Sequence, residues 1–183
     1  MTFALRAITE DDLETIMNWR MSESVTKYMN TNPKLTLEGQ KKWFSSVTKN
    51  NKVRNWIIEV DGVPAGLINL ADIDWEKGTT SWGYYIGEEK LRSLRLAISL
   101  EMSLYDYCFD ALGFKEVHNK VFKLNDGVWK LHIACGCKIV KEVAGEVEKE
   151  GVKYDMVHLA ITRDEWLALR NGKKYEKINY DVF

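Results

Sequence analysis

Arg92, Ser93 and Arg95 open a helix-patterned run that follows an aromatic, strand-like stretch around Trp82–Ile86. The first N–H groups of a helix lack partners and the helix dipole is positive at that end, so such a turn suits a phosphate. Glycine usually lets the backbone approach the ligand there, yet none occurs between Gly87 and Gly113. The donors are main-chain groups, which every residue except proline supplies, so they survive the substitution. An arginine side chain at the same place adds a charge that can pair with a phosphate. His132 supplies a second kind of chemistry, because imidazole titrates near neutral pH and can donate a proton. Its alternative is simple packing beside Trp129 and Cys135. Cys135-Gly136-Cys137 with His132 lacks the second cluster that a zinc site requires, so buried thiols are expected and no metal.

The surroundings of these residues are those of an ordinary globular enzyme-sized domain. At 183 residues, 45% apolar and 29% charged, the chain fits one domain, 1–183, with a sizeable core. A net charge of −1 gives no global basic field for nucleic acid. No apolar run reaches membrane length and no signal-peptide pattern opens the chain, so a cytoplasmic location is expected. Three cysteines form no disulfide framework. Seven tryptophans and eight tyrosines can line a small-molecule pocket as well as a core.

The elements that must position the candidates follow from pattern. Alternation predicts a strand over Phe3–Ile8, and Thr9 with three acidic residues behind it starts a helix running to Trp19 or Arg20. A second helix follows Thr36. Asp61-Gly62 joins two apolar runs, Arg54–Val60 and Val63–Leu70, as a hairpin. A strand over Gly78–Ile86 leads into the arginine turn and a helix from about Arg95 to Leu112, closed by Gly113. Then come a strand (Lys115–Phe122), a short helix (Val128–Cys135), two strands (Lys138–Val143 and Tyr154–Ile161) around an acidic loop, a helix (Arg163–Arg170), and a polar tail. The order β-α-α-β-β-β-α-β-α-β-β-α makes a mixed α/β (α+β) fold.

This order resembles the GNAT family of acetyl-CoA-dependent N-acetyltransferases over about residues 1–161. The Asn18–Met29 segment resembles the tryptophan–arginine segment of several nucleotide-sugar and ribosomal-protein acetyltransferases. Val121–Val140 resembles the strand–asparagine–helix element that closes the family's acetyl-CoA site. The resemblance implies a mixed sheet of six or seven strands flanked by helices, acetyl-CoA as donor, no metal, and a primary amine as acceptor.

It also implies roles. Arg92-Ser93-Leu94-Arg95-Leu96-Ala97 matches the family's pyrophosphate turn, except that Arg95 replaces the middle glycine. The strand carrying Trp82, Tyr85 and Ile86 would lie beside the pantetheine arm, and a main-chain N–H near Tyr85 or Ile86 would polarise the thioester carbonyl. Asn125 and Lys130 fall on the coenzyme side. His132 takes the place of the usual tyrosine that protonates the departing thiolate, with Tyr84 and Tyr85 as other donors. The usual carboxylate base is replaced by Ser81, which leaves Asp72, Asp74 and Glu88 as acidic candidates. Trp19, Arg20, Tyr28, Met29 and Trp82 would wall the acceptor side, where an arginine beside aromatics could grip a nucleotide diphosphate and stack a base. The expected partner is a small-molecule amine, foremost a nucleotide-linked amino sugar. A protein N-terminus and a non-catalytic acyl-CoA-binding module are the alternatives, and a homodimer is left open.

Overall fold

Asp61 and Gly62 both adopt positive φ, 51° and 77°, and turn strand β2 (Arg54–Val60) back on β3 (Val63–Asp74), as the Asp-Gly pair predicts. These two strands begin a seven-stranded sheet, seen in a computed structural model that describes residues 1–180. The other strands are β1 (Phe3–Ala7), β4 (Thr79–Ile86), β5 (Glu116–Phe122), β6 (Lys138–Lys149) and β7 (Val152–Thr162). Their order across the sheet is β1-β2-β3-β4-β5-β7-β6. The sheet is mixed because β4 and β5 run parallel while the other neighbours are antiparallel. This matches the expected fold class.

Helices cover both faces. One face carries α1 (Leu13–Met21) and α3 (Leu37–Val47), joined through the short α2 (Glu23–Thr26). Ile16 and Trp19 of α1 pack there against Ile57 and Leu67. The other face carries α4 (Leu94–Asp106), α5 (Asp126–Cys135) and α6 (Arg163–Leu169) over the larger core, which includes Trp56, Ile68, Leu70, Leu100 and Trp166. The alternation of β2 divides its side chains between the two cores: Ile57 faces one and Ile58 the other.

Three sequence expectations change. The helix after the arginine turn is α-helical only to Asp106. A π turn over Tyr107–Ala111 follows, and Gly113 at φ 69° ends it. The acidic segment between the last two strands is no loop: β6 and β7 run on as a two-stranded ribbon to a tight turn at Glu150-Gly151. Its alternating glutamates and valines suit a ribbon with one half-buried face, and the register slips between Val143 and Val147, where Gly145 has positive φ. The tail also belongs to the core. The Tyr180 hydroxyl donates to Leu100 O at 2.8 Å, Trp56 Nε1 donates to Tyr180 O at 3.1 Å, and Ile178 N–H donates to Ser103 Oγ at 2.9 Å. Among the described residues no helix is long and apolar enough to cross a membrane.

Candidate functional site

The parallel pair β4–β5 sets up the site by failing to continue. Register holds only from Thr79–Glu116 to Ser81–His118, and beyond Ser81 the strands part. A cleft of about 1090 Å³ opens there and reaches both faces of the sheet. On one face it is walled by Trp82, Tyr84, Asn119, Val128 and His132, and on the other by Arg20, Tyr28, Asn55, Asn69 and Tyr85.

At the mouth stands the N-terminus of α4. Ser93 caps it, its Oγ accepting from Leu96 N–H at 3.2 Å, so the N–H groups of Leu94 and Arg95 remain without helical acceptors. Ser93, Leu94, Ala97 and Arg92 line the cleft, and Leu96 is fully buried beneath. Arg92 braces the turn: Nε and Nη2 donate to Ile86 O at 3.0 and 2.9 Å, and Nη2 to Ser24 Oγ at 3.1 Å. The expectation that the Arg95 side chain adds its charge at the turn is not met: the side chain lies over the Phe3 ring and forms an ion pair with Glu176.

Inside the cleft, His132 is 3% exposed and its Nδ1 lies 2.8 Å from Oε2 of Glu101, a carboxyl group on α4 that is itself fully buried. Tyr105 donates its hydroxyl to the other Glu101 oxygen, and Trp82 packs edge-on against the imidazole at 5.1 Å between centroids. The backbone is held as well. His132 O accepts from Cys137 N–H at 2.9 Å and from Gly136 N–H at 3.1 Å, where Gly136 takes φ 125° to end the helix. Burial pushes the hydroxyls of Tyr84 and Tyr85 well above the ordinary phenol value, so both stay protonated.

The opposite face is polar in a different way. Arg20 Nη1 and the Tyr85 hydroxyl are both buried without hydrogen-bond partners. Asn55, Asn69 and Gly83 stand side by side across β2, β3 and β4, and glycine adds no side chain at the third position. Arg20, Arg92, Lys120 and His132 carry the ionisable nitrogen of the cleft. Among the described residues no aspartate or glutamate lines it.

The Acetyltransferase (GNAT) domain model matches residues 3–138. The chain belongs to the GNAT acetyltransferase family. It is therefore an acetyl-CoA-dependent N-acetyltransferase. Among curated proteins none matches the sequence. Among solved structures, a spermidine N-acetyltransferase from Vibrio cholerae in complex with CoA and spermine superposes with a TM-score of 0.84 at 20% identity, covering 90% of this chain and 98% of that one. A chimera of the Vibrio enzyme gives a TM-score of 0.83 at 20% identity over 91% and 99% of the two chains. Its complex with manganese ions gives 0.77 at 21% identity over 91% and 95%. Likeness at this identity concerns the fold.

In this GNAT chain most of the expected site residues share the cleft: Arg20, Tyr28, Met29, Trp82, Tyr85, Ile86, Arg92, Ser93, Leu94, Ala97, Asn125 and His132. Asn125 precedes α5 but makes no side-chain cap bond. Trp19 is not a wall. It packs into the space left by Gly87, where an added Cβ would come within 2.2 Å of the indole, and it donates to Glu88 at 2.8 Å. Lys130 is exposed and paired with Asp126 at 2.6 Å, and Asp74 is paired with Lys77 at 2.8 Å; neither lines the cleft. Asp72 sits at a bulge with φ 50°, accepts from Ser81 Oγ at 2.9 Å, is exposed and does not line the cleft. The three cysteines are free and buried; burial pushes the Cys137 thiol up to about 12. Among the described residues no group suited to a metal occurs.

Glu101, Asn119 and the Asn55–Asn69 row were not singled out by sequence reading. Glu101 stands among the apolar and serine positions of α4, and a carboxylate at a core position is the signal that could have found it. The asparagines interrupt apolar strands, which marks them too.

Proposed function

We propose that this acetyltransferase moves the acetyl group of acetyl-CoA to the primary amine of a nucleotide-linked amino sugar. The observation that carries the acceptor assignment is the charge of the cleft: a buried, unpartnered Arg20 nitrogen and no carboxylate among the described lining residues. An unmade bond to a buried charged group costs roughly 1–3 kcal/mol or more, which a bound phosphate oxygen would recover. The amide row of Asn55 and Asn69 offers donors and acceptors to sugar hydroxyls, and Tyr28 and Trp43 offer faces for stacking.

The donor fits the other half of the cleft. Main-chain groups of β4 beyond Ser81 have no β5 partner, which suits the amides of a pantetheine arm, and the free N–H groups of Leu94 and Arg95 suit a pyrophosphate. Tyr85 and Ile86 lie along that edge. His132 is the proton donor for the departing thiolate.

A polyamine acceptor, the substrate class of the Vibrio enzyme, would place several ammonium groups beside the Arg20 guanidinium, in a cleft that no carboxylate lines among the described residues. Coulomb repulsion disfavours that pairing. Within the nucleotide-sugar class, the Asn18–Met29 and Val121–Val140 segments favour UDP-4-amino-4,6-dideoxy-N-acetyl-β-L-altrosamine. The test is thiol release from acetyl-CoA with that sugar, spermidine and a ribosomal-protein N-terminal peptide. The sugar is expected to exceed both others by at least ~10-fold in kcat/KM. A preference for spermidine or the peptide would overturn the acceptor assignment.

A further inference from the structure

We propose that Glu101 is a positioning residue that fixes the tautomer of His132 and so lets one imidazole handle both proton transfers of the reaction. The role rests on acetyl transfer in the cleft and extends it, because no lining carboxylate is available as a base. Glu101 lies behind the wall, fully buried on α4, and reaches the cleft through its contact with His132.

Two groups converge on the Glu101 carboxyl: Tyr105, one turn on in α4, donates its hydroxyl to Oε1, and His132 Nδ1 lies 2.8 Å from Oε2. Tyr105 also contacts Cys137 Sγ at 3.0 Å, which closes the network on the side away from the cleft. Among the described residues no lysine or arginine pairs with Glu101; its one ion-pair partner is His132. In the proposed arrangement the Glu101 carboxylate accepts, so Nδ1 carries the hydrogen and the lone pair of the imidazole lies on Nε2. With Nδ1 turned to Glu101, Nε2 is the nitrogen left for the cleft that His132 lines. Trp82 against the ring and the Nδ1 contact with Glu101 restrict any flip that would exchange the nitrogens.

The proton balance then closes without another base. The amine nitrogen uses its lone pair to form the C–N bond to the acetyl carbon, and the C–S bond breaks with its electron pair going to sulfur. The proton that leaves nitrogen passes to Nε2, and the same position returns it to the thiolate sulfur. Between the two transfers the ring is an imidazolium whose charge Glu101 balances at 2.8 Å. This differs from a single-use acid, because the tautomer must be correct before the amine attacks.

The experiment combines Glu101→Gln kinetics with 15N chemical shifts of the imidazole in the wild-type protein at a pH where the ring is neutral. Expected are a hydrogen on Nδ1 in the wild type, a fall of about 100-fold in kcat for Glu101→Gln, and KM for acetyl-CoA within about twofold. A wild-type hydrogen on Nε2, or an unchanged kcat in a folded Glu101→Gln protein, would overturn the proposal. Should Glu101→Gln not fold, the wild-type shifts still decide it. Absence of turnover by the wild type with every acceptor would instead count against the acceptor reading, and the shifts report the tautomer independently.

Discussion

In the proposed acceptor site, Arg20 is the residue that most constrains what can bind. A guanidinium has five donors in a fixed plane, and leaving one buried and unbonded is tolerated only when something else supplies the acceptor. Tyr85, also unbonded, shares that side of the cleft, so in the proposed site the pair would present a charge and a neutral donor to the same ligand. Arg20→Met keeps the aliphatic stem and removes the charge. It should raise KM for the acceptor about 10- to 100-fold, the value of one to two charged hydrogen bonds, and leave acetyl-CoA binding within about twofold. Steady-state kinetics with the acceptor varied, beside calorimetry with acetyl-CoA, separates the two. An unchanged acceptor KM would remove Arg20 from recognition. The resemblance to the family reached Arg20 and Tyr85, and His132 was reached both by that resemblance and by the chemistry of imidazole. Sequence reading missed Glu101 because its partner lies 31 residues away on another helix.

At the scale of the element, the N-terminus of α4 explains how a phosphate-type turn manages without its middle glycine. Arg95 already lies within the helix, a conformation any residue adopts, and its side chain departs toward Glu176. The ligand would therefore meet the same main-chain N–H with either residue. Arg95→Gly should leave acetyl-CoA affinity within about threefold and lower stability by roughly 1 kcal/mol through helix propensity. Titration calorimetry and urea unfolding measure the two effects, and a large gain in affinity for the glycine variant would show that arginine obstructs the turn. Hairpins and helix starts of this kind were legible because each is written in neighbouring residues: Asp61-Gly62 for the hairpin and Thr36 for the helix that follows it. The parting of β4 from β5 was not, because it is a loss of pairing between segments far apart in the chain. The short α2 and the long β6–β7 ribbon escaped for related reasons. One has too few residues for a period, and the other carries its register only through its partner.

Taken as a whole molecule, the site depends on residues beyond the stretch that the family model matches. Residues 3–138 contain β4, β5, α4 and α5, yet β5 completes its ladder only with β7, from Glu116–Thr162 to Phe122–Met156. One edge of β5 must stay open toward β4 to make the cleft, so the antiparallel β7 on its other edge is what holds it in place. The far end of the β6–β7 ribbon reaches back to α2, where Lys149 Nζ donates to Thr26 O at 2.7 Å and Met29 O at 3.1 Å beside the acceptor side. The tail then closes the opposite face. Tyr180 is 2% exposed, meets the Trp56 ring at 5.2 Å between centroids, and bonds the main chain of α4 one residue before Glu101. Removing this ring leaves a cavity under α4 and takes away the hydroxyl bond to Leu100 O, so Tyr180→Ala should lose about 3–5 kcal/mol of unfolding free energy. Tyr180→Phe keeps the ring and should lose about 1 kcal/mol. Both are read from denaturant unfolding, and below its midpoint Tyr180→Ala should keep the wild-type KM for the acceptor, because Tyr180 lies outside the cleft lining. A stability loss below about 1 kcal/mol for Tyr180→Ala would mean that the tail lies on the core without supporting it.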